Sequence, residues 1–163
     1  MNNISIVALL LCVFAFTSCG NETNNKTEPT VGEFTWQEWQ NVCDWTDFSA
    51  DDYTPQQEYV EQISDVYNKD EISFIIFTAG WCPDSETGTP KIYKLFNAAG
   101  IDLSDVTLFG VDRNKSEPTK SYEEYNLEKV PTLIVLKDES EIGRIVEYPV
   151  KTWEQDLAEI LSD

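Results

Sequence analysis

The groups in this chain able to do covalent chemistry are few, and the most suggestive of them stand together in Trp81-Cys82-Pro83-Asp84-Ser85. Two of the four cysteines, Cys12 and Cys19, lie in the first twenty residues, which leaves Cys43 and Cys82 for the body of the chain. There is no histidine. Its absence removes His-based zinc sites and every Ser-His or Cys-His catalytic pair, and neither a metal centre nor a cofactor is expected. Sulfur reacts as a nucleophile in its thiolate form. An apolar run at residues 72–78 (ISFIIFT) leads into Cys82, and a helix is expected to start at or just after it. Backbone N–H groups at a helix start point at such a sulfur and favour thiolate over thiol. Asp84 opposes that effect with its own negative charge. Ser85, in the first helical turn, is placed either to donate a hydrogen bond to Cys82 or to serve simply as a helix N-terminal residue.

A thiol at such a junction needs elements that hold it there. Thr54-Pro55-Gln56-Gln57 reads as a helix start, with Thr54 as cap, Pro55 at the first helical position and Gln57 completing a capping box. Tyr59, Val60, Ile63, Val66 and Tyr67 then share one face. The run at 72–78 lacks alternation, as expected of a strand covered on both faces. Ile92, Leu95, Phe96 and Ala99 mark a helix stopped at Gly100. Residues 106–111 (VTLFGV) form a second buried strand, followed by a short helical stretch at 121–125. Residues 132–136 and 142–147 flank Lys137-Asp138-Glu139-Ser140-Glu141, a hairpin signature. A closing helix is capped at Thr152, has Gln155 at its third position, and turns Trp153, Leu157, Ile160 and Leu161 inward. Strand-helix-strand units imply parallel pairing and the hairpin antiparallel pairing. The expected fold class is α/β, a mixed central sheet with helices on both faces and a C-terminal β-hairpin plus helix.

The strand-Trp-Cys-x-x-helix arrangement resembles thioredoxin, and three further features agree. Pro90 lies eight residues after Cys82, where the family helix carries its kinking proline. Val130-Pro131-Thr132 matches the family's cis-proline loop, which lies beside the nucleophilic sulfur and presents backbone to a bound peptide. Val111-Asp112-Arg113-Asn114 is similar to the family's strand end before its short helix. The resemblance covers about residues 54–163 and implies a thioredoxin-like fold. It also implies Cys82 as nucleophile with Ser85 beside it, and a substrate groove built by Trp81, Val130, Pro131 and Thr132. Ser85 replaces the resolving cysteine, so an internal disulfide at the motif is impossible. Ile76 stands six residues before Cys82, where thioredoxins carry a buried acid. The two losses agree, because a buried carboxylate with no second thiol to deprotonate would only cost desolvation. Glu147-Tyr148-Pro149 also replaces the family's small, Gly-containing turn near the groove.

These departures point to an atypical monothiol member. Its partner is expected to be a protein thiol or disulfide, or a small-molecule thiol, handled through a mixed disulfide at Cys82. A competing reading is a redox-inert binding module using the groove near Pro131 and Tyr148. A third pairs Cys43 with Cys82 in a structural or switchable disulfide.

The N-terminal region carries a separate message. Residues 4–17 (ISIVALLLCVFAFT) are apolar, shorter than the ~20 residues a spanning helix needs and of the length of a signal-peptide core. Phe16-Thr17-Ser18-Cys19 resembles a bacterial lipobox, although Phe16 stands where leucine is usual and no Lys or Arg precedes the run. That resemblance implies lipidation of Cys19, a membrane partner through the lipid anchor, and a bacterial cell-envelope location on the periplasmic or extracytoplasmic face. Ordinary signal cleavage and an uncleaved anchor are the alternatives. The expected organisation is a signal segment at 1–19, a flexible tether at 20–33, a Trp-rich extension at 34–53 and a thioredoxin-like domain at 54–163. With 30 acidic against 11 basic residues the formal net charge is −19. Such a surface repels phosphate backbones, so nucleic acid is not an expected partner.

Overall fold

The structure is a computed structural model that describes residues 30–68 and 70–162; the expected signal segment, Cys19 and most of the expected tether lie outside them. At its centre is β2 (Ile72–Thr78), whose run of Ile and Phe is buried on both faces. It pairs in parallel with β3 (Val106–Gly110) on one edge and antiparallel with β4 (Thr132–Lys137) on the other. The hairpin partner β5 (Ser140–Val146) closes one side of the sheet. The other side is closed by a short strand, β1 (Gly32–Phe34), antiparallel to β3, and the order is β1-β3-β2-β4-β5. The β4–β5 turn is Asp138-Glu139, both at positive φ (49° and 62°), the backbone twist that two-residue hairpin loops favour.

Among the described residues five α-helices cover the sheet: α1 (Trp36–Val42), α2 (Gln57–Tyr67), α3 (Pro83–Ala99), α4 (Ser121–Glu124) and α5 (Trp153–Ser162). The alternating pleat of the strands divides the core in two. Phe74, Ile76, Leu108, Leu133 and Val135 pack with α1, α2, α3 and α5 through residues such as Trp39, Ile63, Phe96 and Leu157. Ile75, Phe77, Phe109 and Ile134 face the other way, toward Tyr122 of α4 and Tyr125 and Leu127 just after it. The α/β thioredoxin-like architecture expected from the sequence is the one observed. No helix among the described residues is long and apolar enough to cross a membrane.

Two local expectations change. Helix α2 begins at Gln57 with Gln56 as its N-cap, and Thr54 does not cap it. The chain there is held instead by Glu154 of α5, which accepts from the Tyr53 hydroxyl at 2.6 Å and from Gln56 N and Nε2 at 3.3 and 3.2 Å. The last two residues of the stretch read as tether, Gly32 and Glu33, belong to β1. A three-residue strand with one large apolar side chain shows no periodicity to read. The Trp-rich stretch that follows is part of the main core: Trp39 and Trp45 are buried and Trp36 stacks on Tyr93, with ring centroids 4.0 Å apart.

Gly110 is where β1 seats. A Cβ on it would lie 2.2 Å from the Thr30 carbonyl oxygen and 2.6 Å from Trp39 Cζ3. G110A should therefore destabilise the protein by about 1–3 kcal/mol in chemical denaturation, and an unchanged midpoint would contradict this seating. Glu154 generates a second prediction. Burial pushes its carboxyl up, but hydrogen bonds led by the Tyr53 hydroxyl outweigh that and leave it below the usual carboxylate range. A depressed acid contributes stability above its unfolded value of about 4.3, and that contribution is lost as pH falls through the folded value. E154Q should lower stability at pH 7 by about 1–3 kcal/mol. In melts repeated near pH 3 its gap from wild type should narrow; a gap independent of pH would refute the linkage.

Candidate functional site

Where β2 ends, the chain makes a tight turn before α3. The Cys82 N–H donates to Ala79 O at 3.1 Å, and the Cys82 carbonyl accepts from Glu86 N at 3.0 Å. Cys82 is thereby the N-cap of α3, in extended conformation, with Pro83 in the first turn where a missing N–H costs nothing. By helix geometry the N–H groups of Asp84 and Ser85 have no intrahelical acceptor, and they lie at the positive end of a seventeen-residue helix. The Cys82 residue is 8% exposed, and its thiol donates to Val130 O at 3.5 Å.

The turn is braced from several sides. Thr78 and Thr89 share a buried hydroxyl contact of 2.8 Å that ties the end of β2 to α3. Ser85 is fully buried, and its oxygen accepts from Ala79 N at 3.3 Å. The hydroxyl thus braces the turn, and among the described residues no hydrogen bond joins it to Cys82. The reason is burial: the Ala79 N–H would otherwise be an unpaired donor. Ile76 is fully buried in the core beneath. Trp81 is fixed by donation from its indole to Val111 O at 3.1 Å, and the Arg113 guanidinium stands 5.1 Å from its ring. Asp112 holds the segment carrying Arg113, since its carboxylate accepts from Asn114 N and Ser116 N at 2.8 and 2.9 Å. The Ser116 bond above all keeps that carboxyl below the usual range.

Opposite the sulfur, the Val130–Pro131 peptide bond is cis. Val130 and Thr132 are 4% and 1% exposed, and the Thr132 hydroxyl donates to Lys129 O at 2.8 Å. Their side chains therefore belong to the interior, and what Val130 offers the site is its carbonyl. Gly88 lets α3 approach this loop: a Cβ there would lie 3.0 Å from Pro131 Cγ and 3.2 Å from Trp153 Cζ2.

Three features of the site were not visible in the sequence reading. The first is support from the Trp-rich stretch, where the Trp45 indole donates to Gly80 O at 3.2 Å and Thr46 N to Glu86 Oε1 at 3.3 Å. Cys43 packs there too, its sulfur 3.3 Å from where a Gly80 Cβ would be. Burial pushes the Cys43 thiol up to about 11, and Cys43 and Cys82 are both free thiols. The second is Arg113 over Trp81. The third is a contact between Tyr148 and Asp84, 64 residues apart, in which the tyrosine hydroxyl donates to Asp84 Oδ1. That bond, more than any other influence, raises the Tyr148 hydroxyl to about 12. The one available signal was Glu147-Tyr148-Pro149 itself, a bulky turn where a small one is usual. Among the described residues, no group of three or more His, Cys, Asp or Glu is arranged to hold a metal ion.

The arrangement presents one sulfur, at a helix N-terminus, between an aromatic residue and a proline loop. A family profile described as thioredoxin matches residues 36–159. A thioredoxin H-type from Fagopyrum esculentum is 30% identical over 90 residues, covering 55% of this chain and 72% of that protein. Among solved structures, Fasciola hepatica thioredoxin is 23% identical, covers 59% of this chain and 83% of its own, and superposes with a TM-score of 0.40. Thioredoxin O2 from Arabidopsis thaliana in the oxidised state is 26% identical over 64% of this chain and 84% of its own, with a TM-score of 0.40. The profile match takes in most of the chain, including the site, and the chain belongs to the thioredoxin family.

Proposed function

We propose that this protein carries out thiol–disulfide exchange with a single thiol, Cys82, on a protein disulfide or thiol or on a small-molecule thiol. The observation that carries the reading is Cys82 at the N-cap of α3 with Ser85, a buried hydroxyl, at the position of a second thiol. The Cys82 thiolate, the nucleophilic form of the sulfur, attacks one sulfur of a substrate disulfide. The substrate S–S bond breaks as the Cys82 mixed disulfide forms. The other half leaves as a thiolate and takes up a proton. Ser85 has no sulfur to attack that mixed disulfide, so a second, external thiol must do so. Attack at the substrate-derived sulfur regenerates the Cys82 thiolate and places the new disulfide on the substrate; no net electrons stay on the protein. The Val130 carbonyl, 3.5 Å from Cys82 Sγ, orients the resting thiol.

In this reading Cys19 carries lipid and residues 20–31 link it to β1, which holds the reaction at a bacterial envelope membrane on its extracytoplasmic side. What supports it is the lipobox-like Phe16-Thr17-Ser18-Cys19 and the polar composition of the residues that follow.

Treatment with bis(2-hydroxyethyl) disulfide, followed by peptide-resolved mass spectrometry, tests the chemistry. Wild type should retain one adduct on Cys82 until an external thiol is added. S85C should clear that adduct by closing an internal disulfide, shortening its lifetime at least about tenfold. Failure of Cys82 to form any adduct would overturn the proposal.

A further inference from the structure

The Cys82 sulfur is one member of a closed ring of contacts. From Cys82 the ring passes through its Sγ to Val130 O at 3.5 Å, then along the chain to Pro131. The Pro131 carbonyl accepts from Glu147 N at 2.7 Å. Tyr148 follows, its hydroxyl donating to Asp84, and the chain returns through Pro83 to Cys82. With the ring closed, Cys82 is only 8% exposed.

The links differ in how easily they give. Three are stretches of main chain, and one is a backbone hydrogen bond. The backbone beneath Tyr148 is held as well: Glu147 sits at φ 60°, and its carboxylate pairs with Lys129 Nζ at 2.5 Å. Tyr148 itself is 59% exposed, and its bond to Asp84 is a side-chain contact at the surface. Such a contact is worth little net free energy in water, and an exposed side chain changes rotamer far faster than a loop rearranges.

We propose that Tyr148 is an access-determining residue for Cys82, its contact with Asp84 acting as a latch that closes the mouth over the sulfur and opens by rotation of the tyrosine side chain. The latch rests on the reading of Cys82 as the reacting thiol, and it adds a specificity. Small disulfides reach the sulfur with little help, whereas a disulfide seated in a polypeptide requires the open form. The usual small turn would leave this mouth open. Here the chain has placed an aromatic side chain across it.

Two effects of Tyr148 must be separated, because releasing Asp84 also returns its full charge to the neighbourhood of the thiol, which disfavours thiolate. The pH–rate profile of Cys82 alkylation does this: the ionisation effect moves the midpoint, while the plateau at high pH, where the thiol is fully ionised, reports access. The experiment compares iodoacetamide with a bulky maleimide on full-length wild type, Y148F and D84A, read at Cys82 by peptide mass spectrometry, with folding checked by melting. Removal of one hydrogen bond should raise the plateau roughly two- to tenfold in each variant, more for the maleimide. The double variant should gain no more than either single one. An unchanged or lower plateau in Y148F, with Cys82 still forming its adduct, would overturn the latch and leave the exchange chemistry standing. A Cys82 that reacts in none of the variants would overturn both.

Discussion

Strand β2 has no free edge and no free face. Parallel pairing to β3, antiparallel pairing to β4 and burial on both sides determine where the chain emerges at Thr78 and in which direction it points. The turn to Cys82 inherits that rigidity and is then fixed again, by Thr78 against Thr89, Ala79 N against Ser85 Oγ and Cys82 N against Ala79 O. A parallel strand that feeds a helix places that helix's N-terminus at the carboxyl edge of the sheet. Cys82 owes its position to this constraint before any local electrostatic effect operates. β3 ends at the same edge, so Val111 O is available to hold Trp81.

The site is built from a small number of polar contacts inside apolar packing, and each has one task. The Val130 carbonyl meets the thiol, Trp45 meets the Gly80 carbonyl, and Ser85 completes the turn. In a dithiol protein the position of Ser85 would have to ionise and attack. Here it has only to remain hydrogen-bonded, and an apolar Ile76 beneath it is the economical choice, because a buried carboxylate would need its own partners. The two cysteines outside the N-terminal region differ in the same physical terms. Burial raises the thiol of Cys43, which caps the C-terminus of α1, whereas Cys82 caps the N-terminus of α3.

How much of this could be read from the residues follows from the range of each interaction. β2, β3, α3 and the closing hairpin carry their signals in consecutive residues: an unbroken apolar run, a 3.6-residue stripe stopped by Gly100, a polar turn between two strands. The Trp81-Cys82 junction and Pro131 were likewise legible, because their family pattern is local. β1 was not, since three residues contain no period, and its place depends on Gly110 leaving room for Thr30. The α2 start differs from expectation because a plausible local cap at Thr54 loses to Glu154, about a hundred residues away, which holds Tyr53 and Gln56. The Tyr148–Asp84 contact joins two elements with no sequence relation, and of the two roles the sequence leaves open for Ser85 neither names the Ala79 N–H that its hydroxyl meets. Long-range pairings of exposed or buried polar groups leave no mark on the sequence around them.

In the proposed exchange one thiol, Cys82, meets substrate and depends on an outside thiol for release. The most direct measurement is the state of both cysteines in protein recovered from cells that make it, with free thiols blocked at lysis and disulfide-linked species identified by mass spectrometry. A fraction of chains should be linked through Cys82 to another molecule's sulfur, with Cys43 carrying only the blocking group. A Cys82–Cys43 disulfide, or mixed disulfides found on Cys43 and none on Cys82, would contradict it.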